Sequence, residues 1–309
     1  MTLVLDLLRS RWARRFFVVA AVAAAVVAVV LERDAVGEAL ARASWPLVLL
    51  AAVLSLVNVV LAALSWRSVS AGLGAPLGVR DAGVVYLVGQ VGKYLPGGVW
   101  NLVASAELGS DRGVARRRTV GSLLVAVLLS AAMGGLLVVL TLPGAPGPLQ
   151  DLPWLVLLAP LALLAVLPAV LDRVLATLLR LTRQAPVEER TGAAATAAAC
   201  GWSLLSWLAV GLQVLVLALS VGAEPGPALL RVSVGGYALA WIVGFVLVFL
   251  PAGVGAREAV LALALAPVLD TGAVLVVVLL SRVLVTLADL AAAGLALLVP
   301  QGSRRSRRR

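Results

Sequence analysis

The chain has 309 residues, 62% of them apolar and 13% charged, with a mean hydropathy of +1.08, whereas a soluble domain carries about a quarter charged residues. That composition describes a multi-span integral membrane protein with room for about six spans of roughly 20 residues and none for a large soluble domain. With no histidine and one cysteine, Cys200, a His/Cys metal site, a His-dependent triad and a disulfide framework are excluded, and the net charge of +10 reads as topological arginine rather than a nucleic-acid footprint.

In chain order, Arg9, Arg11, Arg14 and Arg15 precede an apolar run at 16–31. The run resembles a signal sequence but lacks a small-residue cleavage site, so it is read as a retained first helix. Further apolar stretches fall at 45–64, 82–108, 119–142, 152–171, 193–221, 232–265 and 272–299. Arg67 and Arg80 precede the 82–108 stretch, and Arg112, Arg116, Arg117 and Arg118 follow it, so both its flanks read as cytoplasmic. If that stretch enters and leaves on one side, the 142–151 loop, without a basic residue, lies outside. The 172–192 loop, with Arg173, Arg180, Arg183 and Arg190, then lies inside. The 232–265 stretch begins and ends outside, and both termini are cytoplasmic. This arrangement keeps nineteen arginines inside against three outside, Arg33, Arg42 and Arg231.

The expected fold is therefore an all-α polytopic membrane protein, one integral membrane domain over 1–309 with a basic cytoplasmic tail at 300–309. It has about six full spans and two re-entrant segments broken by Pro-Gly. Its halves, about 1–151 and 152–299, form an inverted repeat as in many secondary transporters.

A repeated phrase supports the duplication. Tyr94-Leu95-Pro96-Gly97-Gly98-Val99 returns as Phe249-Leu250-Pro251-Ala252-Gly253-Val254, 155 residues later, and seven of twelve positions are identical between 88–99 and 243–254. A helix break at membrane depth frees backbone groups that cost several kcal/mol each, roughly, unless they are buried in protein or face a wet cavity. The two tips are expected to share such a cavity.

Ionisable groups inside a span cost about 2.5–3.5 kcal/mol each on insertion, which makes each a site candidate. Lys93, the only lysine, stands beside the first break and either lines the site or snorkels to the surface. Arg257 and Glu258 follow Gly255, where a short helix should begin. Its free N–H groups and Arg257 would attract a phosphate or anionic headgroup, unless Glu258 neutralises Arg257 or pairs with Arg282. Arg282 and Asp289, two turns apart, share a face of the last span that cannot point at lipid. Asn58, Gln90, Asn101 and Gln213 are either site residues or interhelical glue. Trp12, Trp45, Trp66 and Trp154 read as interfacial anchors, and Trp100, Trp202, Trp207 and Trp241 as packing or ligand contacts. Cys200 reads as a small packing residue. The Gly-rich run before Arg257 lacks the Lys-Ser/Thr of a P-loop and a preceding strand.

Gly92-Lys93-Tyr94-Leu95-Pro96-Gly97-Gly98-Val99-Trp100, then Pro251-Ala252-Gly253-Val254-Gly255-Ala256-Arg257-Glu258 and Ser281-Arg282, resemble the flippase-like transmembrane family typified by the membrane region of lysylphosphatidylglycerol synthases. The likeness covers about 45–299. It implies a bacterial or archaeal polytopic protein that moves aminoacylated phospholipids or serves lipid-linked glycan pathways. Lys93, Pro96 and Gly97 match the family's earlier motif, and Pro251, Gly253, Gly255, Arg257, Glu258 and Arg282 its later one. The chain departs from the pattern at Asn101 and Ala104, where members often carry Glu and Arg, and at Gly121-Ser122-Leu123-Leu124, where an acidic residue is common. No soluble aminoacyl-transfer domain is seen, so no synthase activity is expected.

The expected protein is a non-enzymatic, inner-membrane translocase or binder of an anionic lipid or lipid-linked phosphate compound. It has no catalytic residue, cofactor, metal or nucleic-acid partner. Its substrate site draws on Lys93, Pro96, Gly97, Gly98, Asn101, Pro251, Gly253, Gly255, Arg257, Glu258, Arg282 and Asp289. The alternatives are a membrane subunit anchoring a glycosyltransferase or envelope assembly, and a small-solute transporter.

Overall fold

A computed structural model describes residues 30–94, 99–147, 192–246 and 255–298, with isolated positions between 164 and 177. Every described element is helical. The first are α1 (Arg33–Arg42), α2 (Trp45–Gly72) and α3 (Val79–Gly83), the last continued by a π-helical turn at Val84–Val88 and a 3₁₀ turn at Val91–Tyr94. Then come α4 (Trp100–Ser110), α5 (Arg116–Thr141), α6 (Ala193–Ser220), α7 (Pro227–Val246), α8 (Ala256–Leu265) and α9 (Thr271–Leu298). Five of these, α2, α5, α6, α7 and α9, are long and apolar enough to cross a membrane.

Four of the five coincide with expected spans at 45–64, 119–142, 193–221 and 272–299. The fifth, α7, occupies the first part of the 232–265 stretch and starts earlier, on Pro227, where a missing N–H costs a helix nothing. The run at 16–29, most of 152–171 and the tail lie outside the described residues.

α2 continues past the end of its apolar stretch because its polar groups are satisfied inside the protein. Ser65 donates to the Ala199 carbonyl at 2.8 Å and Ser70 to the Ala75 carbonyl at 2.9 Å. Trp66 is not the interfacial anchor its sequence position indicated. It is fully buried, stacks on Tyr86 with ring centres 5.6 Å apart, and donates from its indole N–H to Ser122 at 2.9 Å. Trp45, by contrast, is exposed at the start of α2, as an anchor should be. Trp207 is a packing residue whose indole N–H donates to the Ser130 carbonyl at 2.9 Å.

Lipid tails are as apolar as leucine, so helices associate in a bilayer through close packing of small residues. A Cβ on Gly72 would lie 2.7 Å from the Ala195 Cβ, one on Gly134 2.9 Å from the Trp207 ring, and one on Gly211 2.8 Å from Val234. These contacts draw α2, α5, α6 and α7 together. Cys200 is half-buried on α6 and packs against this core.

The two ends of the bundle differ in charge. At one end Arg118 donates to the Gly74 carbonyl, Arg67 donates to the Leu77 carbonyl, and Arg112 pairs with Asp81 at 3.4 Å. Arg116 forms a bidentate pair with Glu107 there. At the other end the Ser44 N–H meets the Ser220 carbonyl, Arg231 donates to the Gly144 carbonyl, and Arg42 pairs with Asp270 at 3.3 Å. Arg67, Arg80, Arg112, Arg116, Arg117 and Arg118 thus gather at the first end, against Arg33, Arg42 and Arg231 at the second.

Between these ends lie two helical hairpins. In the first, residues 79–94 and α4 run antiparallel. A Cβ on Gly89 would strike Ser105, and one on Gly92 would lie 2.6 Å from the Asn101 nitrogen. The Arg112–Asp81 pair closes its base at the arginine-rich end. In the second, α8 folds back along α7, with Gly236 against Ala264. Its base, near Arg231 and Asp270, lies at the opposite end. α4 and α8 have 11 and 10 residues, about half the length needed to cross the hydrocarbon core.

Candidate functional site

The inner parts of both hairpins border one cavity of about 570 Å³, walled further by α2, α5, α6 and α9. From the first hairpin comes Lys93, whose Nζ lies 2.6 Å from Asp289 Oδ2 of α9. The Tyr94 hydroxyl donates to the same oxygen at 2.5 Å. The Asp289 side chain is only 5% exposed and that of Lys93 35%, so this carboxylate is neutralised inside the protein. Lys93 therefore does not snorkel to the surface; it ties the first hairpin to the last span.

From the second hairpin come Arg257 and Glu258. Gly255 precedes α8 with φ +90°, a left-handed conformation that side chains rarely adopt. Its N–H donates to Glu258 Oε2 at 2.6 Å, so Glu258 caps the helix that carries it. The other carboxylate oxygen, Oε1, lies 3.5 Å from Arg282 Nε on α9. Of the two pairings open to Glu258, the structure takes the one with Arg282. Arg257 instead donates to the Tyr237 hydroxyl, with its guanidinium carbon 4.6 Å from the centre of that ring.

The charges in the cavity follow from these pairings. Lys93 is matched by Asp289 and Arg282 by Glu258. Among the described residues no carboxylate lies within ion-pair distance of Arg257. Among the described residues, three cations facing two carboxylates leave a positive site, and the start of α8 adds the partial positive charge of a helix N-terminus.

Lys93, Asn101, Arg257, Glu258, Arg282 and Asp289 all line this cavity. Asn58 and Gln90 line it too, and Asn58 accepts a hydrogen bond from Ser206 at 2.7 Å. Gln213 does not. It is fully buried between α6 and α9 and accepts from Ser281 at 3.0 Å. Pro96, Gly97, Gly98, Pro251 and Gly253 lie outside the described residues. Tyr86 and Tyr237 were not singled out from the sequence, and Tyr94 stood out only within the repeated phrase, yet all three line the cavity. Their rarity was the available signal, because they are the only tyrosines in the chain and each falls within a broken apolar stretch.

Fold and site together define a multi-pass helical membrane protein with a charged cavity lined by its helices. The chain belongs to the family described as the lysylphosphatidylglycerol synthase TM region, whose model matches residues 16–293. That membership associates it with membrane lipids. A search of curated proteins finds no match.

Proposed function

We propose that the protein takes the anionic head of a membrane lipid into this cavity and passes it between leaflets, as a flippase-like translocase without catalytic activity. The observation that carries the reading is Arg257, a cation facing the cavity with no carboxylate partner among the described residues. An ion in low-dielectric surroundings without a counter-charge is costly, and an incoming phosphate supplies that counter-charge. The two ion pairs that hold each hairpin to α9 are the contacts that would exchange as the lipid moves.

Reconstituted vesicles containing tail-labelled fluorescent phosphatidylglycerol test this. Wild-type protein should expose inner-leaflet lipid to an external quencher, and Arg257→Gln should slow that exposure at least about tenfold. That is the loss expected for one charge-assisted hydrogen bond. Equal rates for wild type, Arg257→Gln and protein-free vesicles would favour a scaffold for an envelope assembly.

The same reading takes the arginine-rich end as cytoplasmic and the hairpins as re-entrant, one in each half of an inverted repeat, in an inner membrane. The short α4 and α8 and the opposed hairpin bases support it. On a Cys200→Ser background, a cysteine at Ala115 should react with an impermeant thiol reagent from the cytoplasmic side only. Labelling from outside the cell would overturn the re-entrant topology.

A further inference from the structure

The cavity has an apolar branch that the charged residues do not explain. Tyr237, Trp241 and Phe245 follow one another at intervals of four on α7, so they form a single stripe about 12 Å long. Trp241 and Phe245 stack almost parallel, 5.2 Å apart at 7°, and Trp207 meets the Trp241 ring edge-on at 5.3 Å. All four line the cavity. Exposure rises along the stripe: Tyr237 is 4% exposed, Trp241 is half-buried and Phe245 is 43% exposed. The stripe therefore starts at the ring Arg257 contacts and ends at an exposed ring near the inner end of α7.

We propose that this aromatic stripe is the seat of the hydrocarbon chain of the lipid whose anionic head meets Arg257. The inference rests on the head-group reading above and adds the route of the tail. An amphiphile held at Arg257 must place its chain somewhere, and the aromatic track continuous with Arg257 runs along the cavity wall to the exposed Phe245 ring. Flat ring faces along a stripe offer apolar contact to methylene and isoprenoid chains alike. The track thus fits a long-chain phosphate lipid, of acyl or polyprenyl type, and gives no advantage to a free phosphate.

Equilibrium binding of the full chain in detergent tests it with three probes: dioleoyl phosphatidic acid, undecaprenyl phosphate, and dihexanoyl phosphatidic acid, which keeps the head but has six-carbon chains. Phe245→Ala alters an exposed side chain, and Trp241→Leu keeps a bulky apolar group, so both should fold. Each should weaken long-chain binding about tenfold and leave dihexanoyl binding as it was. Arg257→Gln should weaken all three. Loss confined to one long-chain probe would support the stripe and identify the chain type. Unchanged long-chain binding in both aromatic variants would overturn the inference while leaving the Arg257 site standing, and so would an equal loss for the dihexanoyl probe. Effects of the aromatic variants without any effect of Arg257→Gln would overturn the head-group reading and keep the tail track. No binding of any probe by wild type would overturn both.

Discussion

Asp289→Ala is expected to destabilise the protein by about 3 kcal/mol, at the low end for a broken buried pair because Lys93 keeps partial access to water. The variant strands the Lys93 ammonium in the cavity and removes an acceptor of the Tyr94 hydroxyl, so the first hairpin loses two of its polar ties to α9. The double variant Lys93→Met, Asp289→Leu replaces both charges with apolar groups and should recover most of the stability. It should not recover transport, since the exchangeable ion pair is gone. Thermal unfolding of wild type, Lys93→Met, Asp289→Leu and the double variant in detergent, read as a double-mutant cycle, measures the coupling. If the single variants unfold at the wild-type temperature, Lys93 and Asp289 do not hold the hairpin in the membrane.

Gly92→Ala should damage the protein through the backbone. A Cβ there would sit 2.6 Å from the Asn101 nitrogen and 2.6 Å from the Trp100 carbonyl carbon. Neither atom belongs to a side chain that can rotate away, so the arms of the first hairpin must part. Overpacking of this kind costs roughly 1–3 kcal/mol or more. It also displaces Lys93, the next residue, from Asp289, so transport should fall further than stability. Gly201→Ala is the matched control. Gly201 lies inside α6 with nothing within 4 Å of the added methyl, and the change should be neutral or stabilising by up to about 1 kcal/mol. Equal melting temperatures for the Gly92 and Gly201 variants would refute the close approach.

Arginine placement and hydropathy determined much of this protein at the level of sequence. Helix class, four of the five span-length helices and the separation of arginines between the two ends follow from transfer energies, which depend on residue type and order along the chain. The charged positions were legible for the same reason. An ionisable residue in an apolar run needs a partner or a cavity, and Lys93, Arg257, Glu258, Arg282 and Asp289 were conspicuous because each breaks such a run. The helix beginning after Gly255 was legible from its glycine and the Glu258 three residues on.

Tertiary structure alone decided which charge meets which. Glu258 had two arginines within reach by sequence, and only the approach of α8 to α9 assigns it to Arg282 and leaves Arg257 with Tyr237. Lys93 had a surface route and a buried one, and the hairpin held by Gly89 and Gly92 carries it to Asp289. Trp66 shows the limit of the hydropathy argument. Its position at the end of an apolar stretch is that of an interfacial anchor, but Ser122 on α5 supplies an acceptor and Tyr86 a stacking partner, so the ring is buried. The tyrosines are inconspicuous in the sequence because an uncharged aromatic ring within an apolar run reads as packing. Their role depends on a partner 20 residues away for Tyr237 and 195 away for Tyr94, a distance in sequence that only the folded chain removes.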